Sequence, residues 1–469
     1  MPKPQDIPAC PSKPSVPRVN AHTYDIELIT PMFGGGVETR INDPSFAIRP
    51  TSIRGQLQFW WRATVGARYE KLDDLRAAQS AVWGDTTQAS RVQVRVEDVR
   101  ATEPEPCARY EMDRNRFGTF RSMPTWNAPF NNTALPYALF PFQGQLAKGR
   151  TRIEVEPASF IQHAKFKLTV ICDKRIDFVK EVEPALWAWV NFGGLGSRTR
   201  RGCGAIICNT LAPKNKDDLK AMWLRYMPTL FPEREWPTLA AAFLVGSETN
   251  NPIEAWNQCI QIMQKFRQAV GLGRNLGSKP NRPGRSRWPE PETIRRVTGQ
   301  RNGRHGRLPQ IPDDAFPRAE LGLPIVFHFQ NDPQDRPKDP CDVVLYPTDG
   351  PEGKRERMAS PLILKPLALA NGKAVPLILR LKTPALTRVD LRIKKKDLSS
   401  LRQELADQVR RTIQPNDNEG SLPLPDPTRL VDPSLSNYPN SPLAMSPNGS
   451  ALEAFLAYAK SPEFTEVTR

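Results

Sequence analysis

Twelve consecutive residues, Gly193-Gly194-Leu195-Gly196-Ser197-Arg198-Thr199-Arg200-Arg201-Gly202-Cys203-Gly204, hold five glycines and three arginines. Glycine lets a backbone amide approach a ligand closely, and the arginine fork matches the oxygens of a phosphate. The stretch before them, Pro184-Ala185-Leu186-Trp187-Ala188-Trp189-Val190, reads as a helix, and Ala205-Ile206-Ile207-Cys208 after them as a strand. A helix-to-strand loop of this composition is either a phosphate cradle or a flexible turn with solvated arginines. In the first case Gly194, Gly196, Ser197, Arg198, Arg200 and Arg201 wrap a phosphate-bearing ligand. A mononucleotide site is the weaker reading, because no G-x-x-x-x-G-K-[ST] occurs and Gly194-x-Gly196 lacks a third glycine at the required spacing.

A second constellation lies at Ile53-Arg54-Gly55-Gln56-Leu57-Gln58-Phe59-Trp60-Trp61-Arg62-Ala63, after a turn and a Ser or Thr cap. At about 100° per residue, Ile53, Leu57, Trp60 and Thr64 share the face to be buried, while Arg54, Gln58 and Arg62 share another with Trp61 at its border. Arg54 and Arg62 beside an aromatic suit a phosphate and a stacked base; half-buried packing is the other reading of Trp61. A third candidate is Arg287-Trp288, inside residues 273–307, where ten Lys or Arg face only Glu290 and Glu292. That segment carries +8, half of the net +16 of the whole chain, and is expected to be mobile until a polyanion orders it, with Trp288 stacking on a base. The other reading packs Trp288 on the second domain.

Catalytic and metal chemistry have less to stand on. None of the four histidines, His22, His163, His305 and His328, has an acid partner at a recognisable spacing. Seven cysteines without a C-x-x-C pair argue against a disulfide framework and a four-ligand zinc site, so no cofactor and no metal are expected and a reduced, cytoplasmic setting is. With 66 Lys and Arg against 50 Asp and Glu, the partner should be a polyanion. No long apolar run predicts a membrane span or a signal peptide.

The elements that must position these residues follow from periodicity. Residues 23–30, 91–97, 166–171 and 205–211 alternate or read as strands, and helices fall at 53–63, after the Ser or Thr cap, and at 184–192. The order strand, helix, strand, strand, helix, strand is ferredoxin-like, the order of RNA-recognition domains whose sheet is an RNA platform. The fold class is therefore α+β. A Pro-rich tail (1–20) precedes a first domain at 21–212 that carries an insertion at 100–165. After a linker (213–237), a second ferredoxin-like domain is expected at 238–413. It holds the amphipathic run Ile253, Trp256, Ile260, Met263, Phe266 and Val270, the basic insertion 273–307, four strands near 324–329, 342–346, 362–364 and 375–380, and a closing helix at 398–413. Residues 414–469 read as a Pro-rich linker and a short helix.

Taken together, Thr30-Pro31-Met32-Phe33-Gly34-Gly35, the block from Ile53 through Phe59-Trp60-Trp61-Arg62, Ala89-Ser90-Arg91-Val92 and Ser286-Arg287-Trp288-Pro289-Glu290-Pro291 resemble the RAMP superfamily of CRISPR proteins. Within it they look like the first-named Cmr subunits of type III-B effector complexes, over residues 23–381. The resemblance implies two ferredoxin-like (RRM-like) RAMP domains and a place near the 3′ end of the guide RNA (crRNA). The implied partners are that guide, a single-stranded target RNA and other Cmr RAMP subunits. Some RAMPs cut guide precursors with a histidine base and others cut target RNA with an aspartate after the first strand, so an endoribonuclease is the alternative, with Asp43 as its candidate. Asn42-Asp43-Pro44 is also an ordinary turn signature, and the expectation is a noncatalytic RNA-binding subunit.

Overall fold

The computed structural model describes residues 19–468 apart from positions 37, 44, 228, 230, 278–283, 307–313, 333, 349–354, 425–429, 439 and 461–462. Most of the Pro-rich tail, 1–18, and parts of the basic stretch and of the later Pro-rich linker thus lie outside the described residues.

Strand β1 (Val19–Leu28) leads into α1 (Pro50–Ala63). The helix begins without a side-chain cap. Arg49 before Pro50 is extended, Pro50 supplies a preset φ at the first helical position, and Thr64 Oγ1 donates back to the carbonyl of Trp60 (2.7 Å) at the far end. Helix α2 (Leu72–Trp83), β2 (Val92–Ala101), the short α3 (Leu135–Leu139), β3 (Ala164–Asp173), α4 (Glu183–Phe192) and β4 (Ile206–Ile207) follow. The sheet order β4-β1-β3-β2, all antiparallel, is the 4-1-3-2 arrangement of a ferredoxin-like domain.

Residues expected to be only a linker form α5 (Lys216–Tyr226), capped by Asn215, whose side chain accepts from the Asp218 amide (2.9 Å). Its Trp223 packs 5.5 Å from Phe192 of α4 and 4.7 Å from Phe243 of β5 (Thr238–Gly246), which explains why an amphipathic pattern in a charged stretch folds: the partner surface comes from both domains. Helix α6 (Pro252–Gln268) and α7 (Glu290–Thr298) come next. The chain then weaves between two sheets. Strands β6 (Ile325–Phe327) and β7 (Val343–Thr348) start one; β8 (Leu362–Ala368) and β9 (Ala374–Lys382) join β5; β10 (Arg388–Lys394), α8 (Gln403–Arg410) and β11 (Glu419–Ser421) return to the first of these. Helix α9 (Ala451–Ala459) and β12 (Phe464–Thr468) complete the other.

The sheet β8-β9-β5-β12 has the same 4-1-3-2 order read from its far edge, so the protein is α+β with two ferredoxin-like sheets. The second sheet therefore does not close at 413. Of the four strands expected for it, those at 325–327 and 343–348 belong to the separate sheet β6-β7-β10-β11, and the first and last strands are β5 and β12. The expected helix at 398–413 is interrupted: a 3-10 turn, Lys395–Ser400, is followed by extended backbone at Leu401 (φ −83°, ψ 160°) before α8.

Helix α4 is buried at every residue from Pro184 to Phe192, because both ferredoxin-like units cover it. One apolar cluster runs from Trp60, Trp61, Trp187 and Phe192 to Phe243, Ile363, Leu367 and Leu379, so the two units share a core. No described helix is long and apolar enough to cross a membrane.

Candidate nucleic-acid interface

The glycine-rich loop leaves α4 and folds back on the segment after β1. The amide of Ser197 donates to Phe33 O (2.8 Å) and that of Gly204 to Pro31 O (2.9 Å); the buried Thr30 hydroxyl donates to Gly202 O (2.7 Å) and accepts from the Ala205 amide (2.8 Å). Leu195 N donates to Gly204 O (2.8 Å), and Arg201 N and Gly202 N close the 3-10 turn that holds the arginines. The amides that a phosphate cradle would offer are thus largely used inside the protein. Gly194 is buried, with its carbonyl accepting from Trp189 Nε1 (3.1 Å), and is too deep to meet a ligand. Its glycine identity answers to packing, since a Cβ there would sit 2.5 Å from Gly204 O. Gly196 and Ser197 form the exposed edge of the loop.

Gly204 shows the same logic most sharply. Its φ is +62°, and a Cβ would lie 1.9 Å from Leu195 O. Gly204→Ala should cost about 3 kcal/mol, from left-handed strain plus overpacking. Gly55→Ala, on α1 with nothing within 4 Å of the new Cβ, should stabilise by about 1 kcal/mol. Denaturant midpoints of the two variants check this; equal shifts would mean that the loop relaxes freely.

The loop is also pinned to the second unit. Trp256 Nε1 of α6 donates to Arg201 O (2.6 Å), and Lys365 Nζ of β8 donates to Gly193 O (2.8 Å). Arg201 itself reaches Leu362 O (2.9 Å) and Leu321 O (3.5 Å), and Arg200 donates to Ser360 O. Arg200 also lies over the ring of Phe59 (5.5 Å) and Arg198 over that of Phe142 (5.9 Å). The Arg198 Nε is buried without a partner. None of the three guanidiniums forms an ion pair with a carboxylate among the described residues. Burial pulls all three below the usual arginine range. Arg201 falls to about 10, through burial first and then repulsion from Arg198, Arg267 and Arg200. They stay charged at neutral pH, so the junction of the two units holds a cationic cluster without a counter-ion, which suits a phosphate backbone.

Three other expected contacts sit elsewhere. Trp61 is 0% exposed, 6.3 Å from Tyr69 in the core behind α1, and cannot stack on a base. Arg54 donates to Trp83 O and Arg62 to Gln79 Oε1 (3.0 Å), so both tie α1 to α2. Trp288, 2% exposed, packs edge-on against Phe266 (5.4 Å), with its Nε1 donating to Arg267 O (3.1 Å). Arg287 donates to Asn275 Oδ1 (2.7 Å).

The described parts of the basic stretch, 273–277 and 284–306, are folded rather than awaiting a polyanion. Glu292, 2% exposed, takes Arg285 (2.8 Å), Arg296 (3.6 Å) and Arg301; Glu290 takes Arg318 (3.0 Å); Arg295 binds Asp339 through two bonds (2.8 and 3.0 Å). Counting local charge misses this, because Arg318 and Asp339 come from outside the stretch and because a buried carboxylate collects several guanidiniums.

Two histidines do have acid partners, contrary to the sequence expectation: His305 Nδ1 lies 2.8 Å from Asp339 and His328 Nδ1 2.6 Å from Asp342. Asp339 is already committed to Arg295 and to the Asn302 amide (3.0 Å), and burial holds His305 below its ordinary value. His22 stacks on Phe178 at 3.6 Å. Asp43 Oδ1 accepts from the amides of Ser45 (2.9 Å) and Phe46 (3.0 Å), which is a turn-making role. No group of three or more potential metal ligands occurs among the described residues. The open face of the first sheet is not an aromatic platform: it pairs Lys165 with Glu27 (2.9 Å) and Lys167 with Asp98 (2.7 Å).

Sequence reasoning missed Phe59, the exposed-side aromatic that Arg200 covers, and Arg267. The signal for Arg267 was there. It falls about 20° from Trp256 on the helical wheel, a cation on the apolar stripe that meets the loop.

Residues 25–207 match the model of the RAMP superfamily. Over 193 residues the chain is 28% identical to the CRISPR system Cmr subunit Cmr1-2 of Pyrococcus furiosus, spanning 39% of this chain and 92% of that protein. The crystal structure of Cmr1 from Pyrococcus furiosus in its apo form aligns over 79% of this chain and 90% of that one, at 18% identity and a TM-score of 0.43. A chain of the type III-B Cmr-beta complex bound to cognate target RNA aligns over 78% and 94%, at 12% identity and a TM-score of 0.41.

Proposed function

We propose that this chain, which belongs to the RAMP superfamily through residues 25–207, is a noncatalytic RNA-binding subunit of a type III-B CRISPR effector complex. It works in the cytoplasm, holding guide RNA (crRNA) and single-stranded target RNA beside other Cmr subunits in antiviral defence. The observation that carries the RNA-binding part is the arginine cluster of the glycine-rich loop: Arg198, Arg200 and Arg201 are held at the junction of two domains with no carboxylate partner among the described residues. The loop's exposed edge, Gly196 and Ser197, lets a backbone pass beside them. The similarity to the Pyrococcus furiosus Cmr subunit supports the assignment to such a complex. The noncatalytic part rests on Asp43, whose carboxylate makes a turn.

Contacts of this kind read phosphate rather than bases, so binding should depend weakly on sequence and strongly on salt. Arg198→Gln should lower the slope of log affinity against log salt by about 0.7, the share of one phosphate on a single strand. Titration of the full chain with labelled single-stranded RNA at several salt concentrations checks it. An unchanged slope and affinity would make the loop a purely structural hinge.

A further inference from the structure

The loop's cations extend into the second unit, and Arg267 is the member that no observation above explains. Helix α6 meets the loop at Trp256, and Arg267 lies on the same stripe eleven residues later, about 16 Å along the axis. It is half-buried, and its side chain has no hydrogen bond or ion pair among the described residues. Its neighbour Arg318 is differently placed: it is sandwiched between the rings of Trp288 (5.4 Å) and Phe327 (5.2 Å) and bonded to Glu290. Glu290 therefore compensates Arg318 and leaves Arg267 unbalanced.

The first-domain insertion covers the same place. The Ala134 amide, at the start of α3, donates to Asn257 Oδ1 of α6 (2.7 Å), and Phe130 lies edge-on to Trp256 (6.3 Å). Tyr137 of α3 is half-buried there and packs on the cluster that holds Trp256, Phe266 and Trp288. The positive charge of Arg267 repels the guanidiniums of Arg201 and Arg318. Arg201, repelled by both Arg198 and Arg267 at this junction, gains from an anion that enters beside it.

We propose that Arg267 and Tyr137 continue the RNA-binding surface from the glycine-rich loop onto the second domain, with Arg267 contacting one RNA phosphate and the Tyr137 hydroxyl donating to a phosphate oxygen. This rests on the RNA-binding reading above and adds a second-domain contact to it. The RNA path then runs from Phe59 and Arg200, past Gly196 and Arg198, to the C-terminal end of α6. The phosphate contacts on the second domain explain why the loop is fastened to α6 and β8 by three separate bonds: the two halves of the surface must keep a fixed spacing.

The test uses the full chain and a uridine homopolymer as probe. Arg267→Gln should weaken binding three- to tenfold at moderate salt and lower the salt slope by about 0.7, while Arg267→Lys restores the slope. Tyr137→Phe, which keeps the ring, should weaken binding two- to fivefold with no change in slope. Thermal melting of each variant separates these effects from loss of fold, and binding is scored on folded protein. Wild-type affinity and slope in Arg267→Gln, with Arg198→Gln impaired, would overturn the second-domain contact and leave the loop reading in place. No binding by the wild-type chain would overturn both.

Discussion

Replacing Lys365 by methionine is expected to stabilise the folded protein by about 3 kcal/mol at pH 7 and to flatten its stability between pH 7 and 10. Lys365 is 1% exposed, and among the described residues its ammonium makes one hydrogen bond, to the Gly193 carbonyl at the end of α4, and no ion pair with a carboxylate. Burial alone pulls its pKa from 10.5 to about 7. That difference corresponds to roughly 5 kcal/mol against folding. Losing the hydrogen bond returns about 1 kcal/mol and imperfect packing of methionine about another. The sign follows from proton binding. At and below pH 7 the full penalty opposes folding; between about 7 and 10.5 the unfolded chain holds a proton that the folded chain lacks, so wild-type stability rises with pH. Above that range both states are neutral, and the bond to Gly193 favours lysine. Denaturant melts of both proteins at pH 7 and 9.5 measure this, their difference cancelling the tyrosines and cysteines that also titrate. A methionine variant that is less stable at pH 7, with an unchanged pH slope, would mean that the ammonium is solvated or paired.

Trp61→Ala should destabilise the protein by about 4 kcal/mol and leave the RNA affinity of the folded fraction unchanged. Phe59→Ala, two residues earlier on α1, should do the reverse: about 2 kcal/mol of RNA affinity lost and less than 1 kcal/mol of stability. The contrast comes from the helix surface. Trp61 fills the core behind α1, whereas Phe59 lies half-buried at the helix edge with the Arg200 guanidinium over its ring. A base that stacks there meets an aromatic and a cation together. Calorimetric melting and RNA titration of the two variants decide it. If Trp61→Ala lost affinity while keeping its melting temperature, α1 would have to present its other face to RNA.

Much of the first sheet was legible because its signals are local. Strands β2 and β3 alternate in hydrophobicity, and α1 carries Ile53, Leu57 and Trp60 at helical spacing on the face that is in fact buried. The second sheet was not, for a topological reason. Strands β5 and β12 pair directly although more than two hundred residues separate them, and a third sheet is threaded through the gap, so the strands next to these two in sequence are not their neighbours in space. The closing strand, Phe464–Thr468, lies beyond a Pro-rich stretch that looks like an ending.

The residue types of the site were determined by the sequence alone: five glycines and three arginines between a buried helix and a short strand, in a chain of net charge +16. Which of them face a ligand was decided only by the tertiary structure. The glycines serve mainly to let the loop pack against residues 30–33 and against Trp256, since a Cβ at Gly194, Gly196, Gly202 or Gly204 would lie 2.5 Å or less from a neighbouring atom. Trp61 and Trp288 carry the aromatic surface that nucleic acids favour, yet both are consumed by cores, because burying a large apolar ring contributes more than leaving it in water. Arg285, Arg296 and Arg301 of the basic stretch are neutralised by Glu292 and Arg295 by Asp339, whereas the loop's arginines have no carboxylate partner among the described residues. Charge is countable from sequence; whether a charge has a partner depends on which distant carboxylate the fold brings within a few ångströms of it.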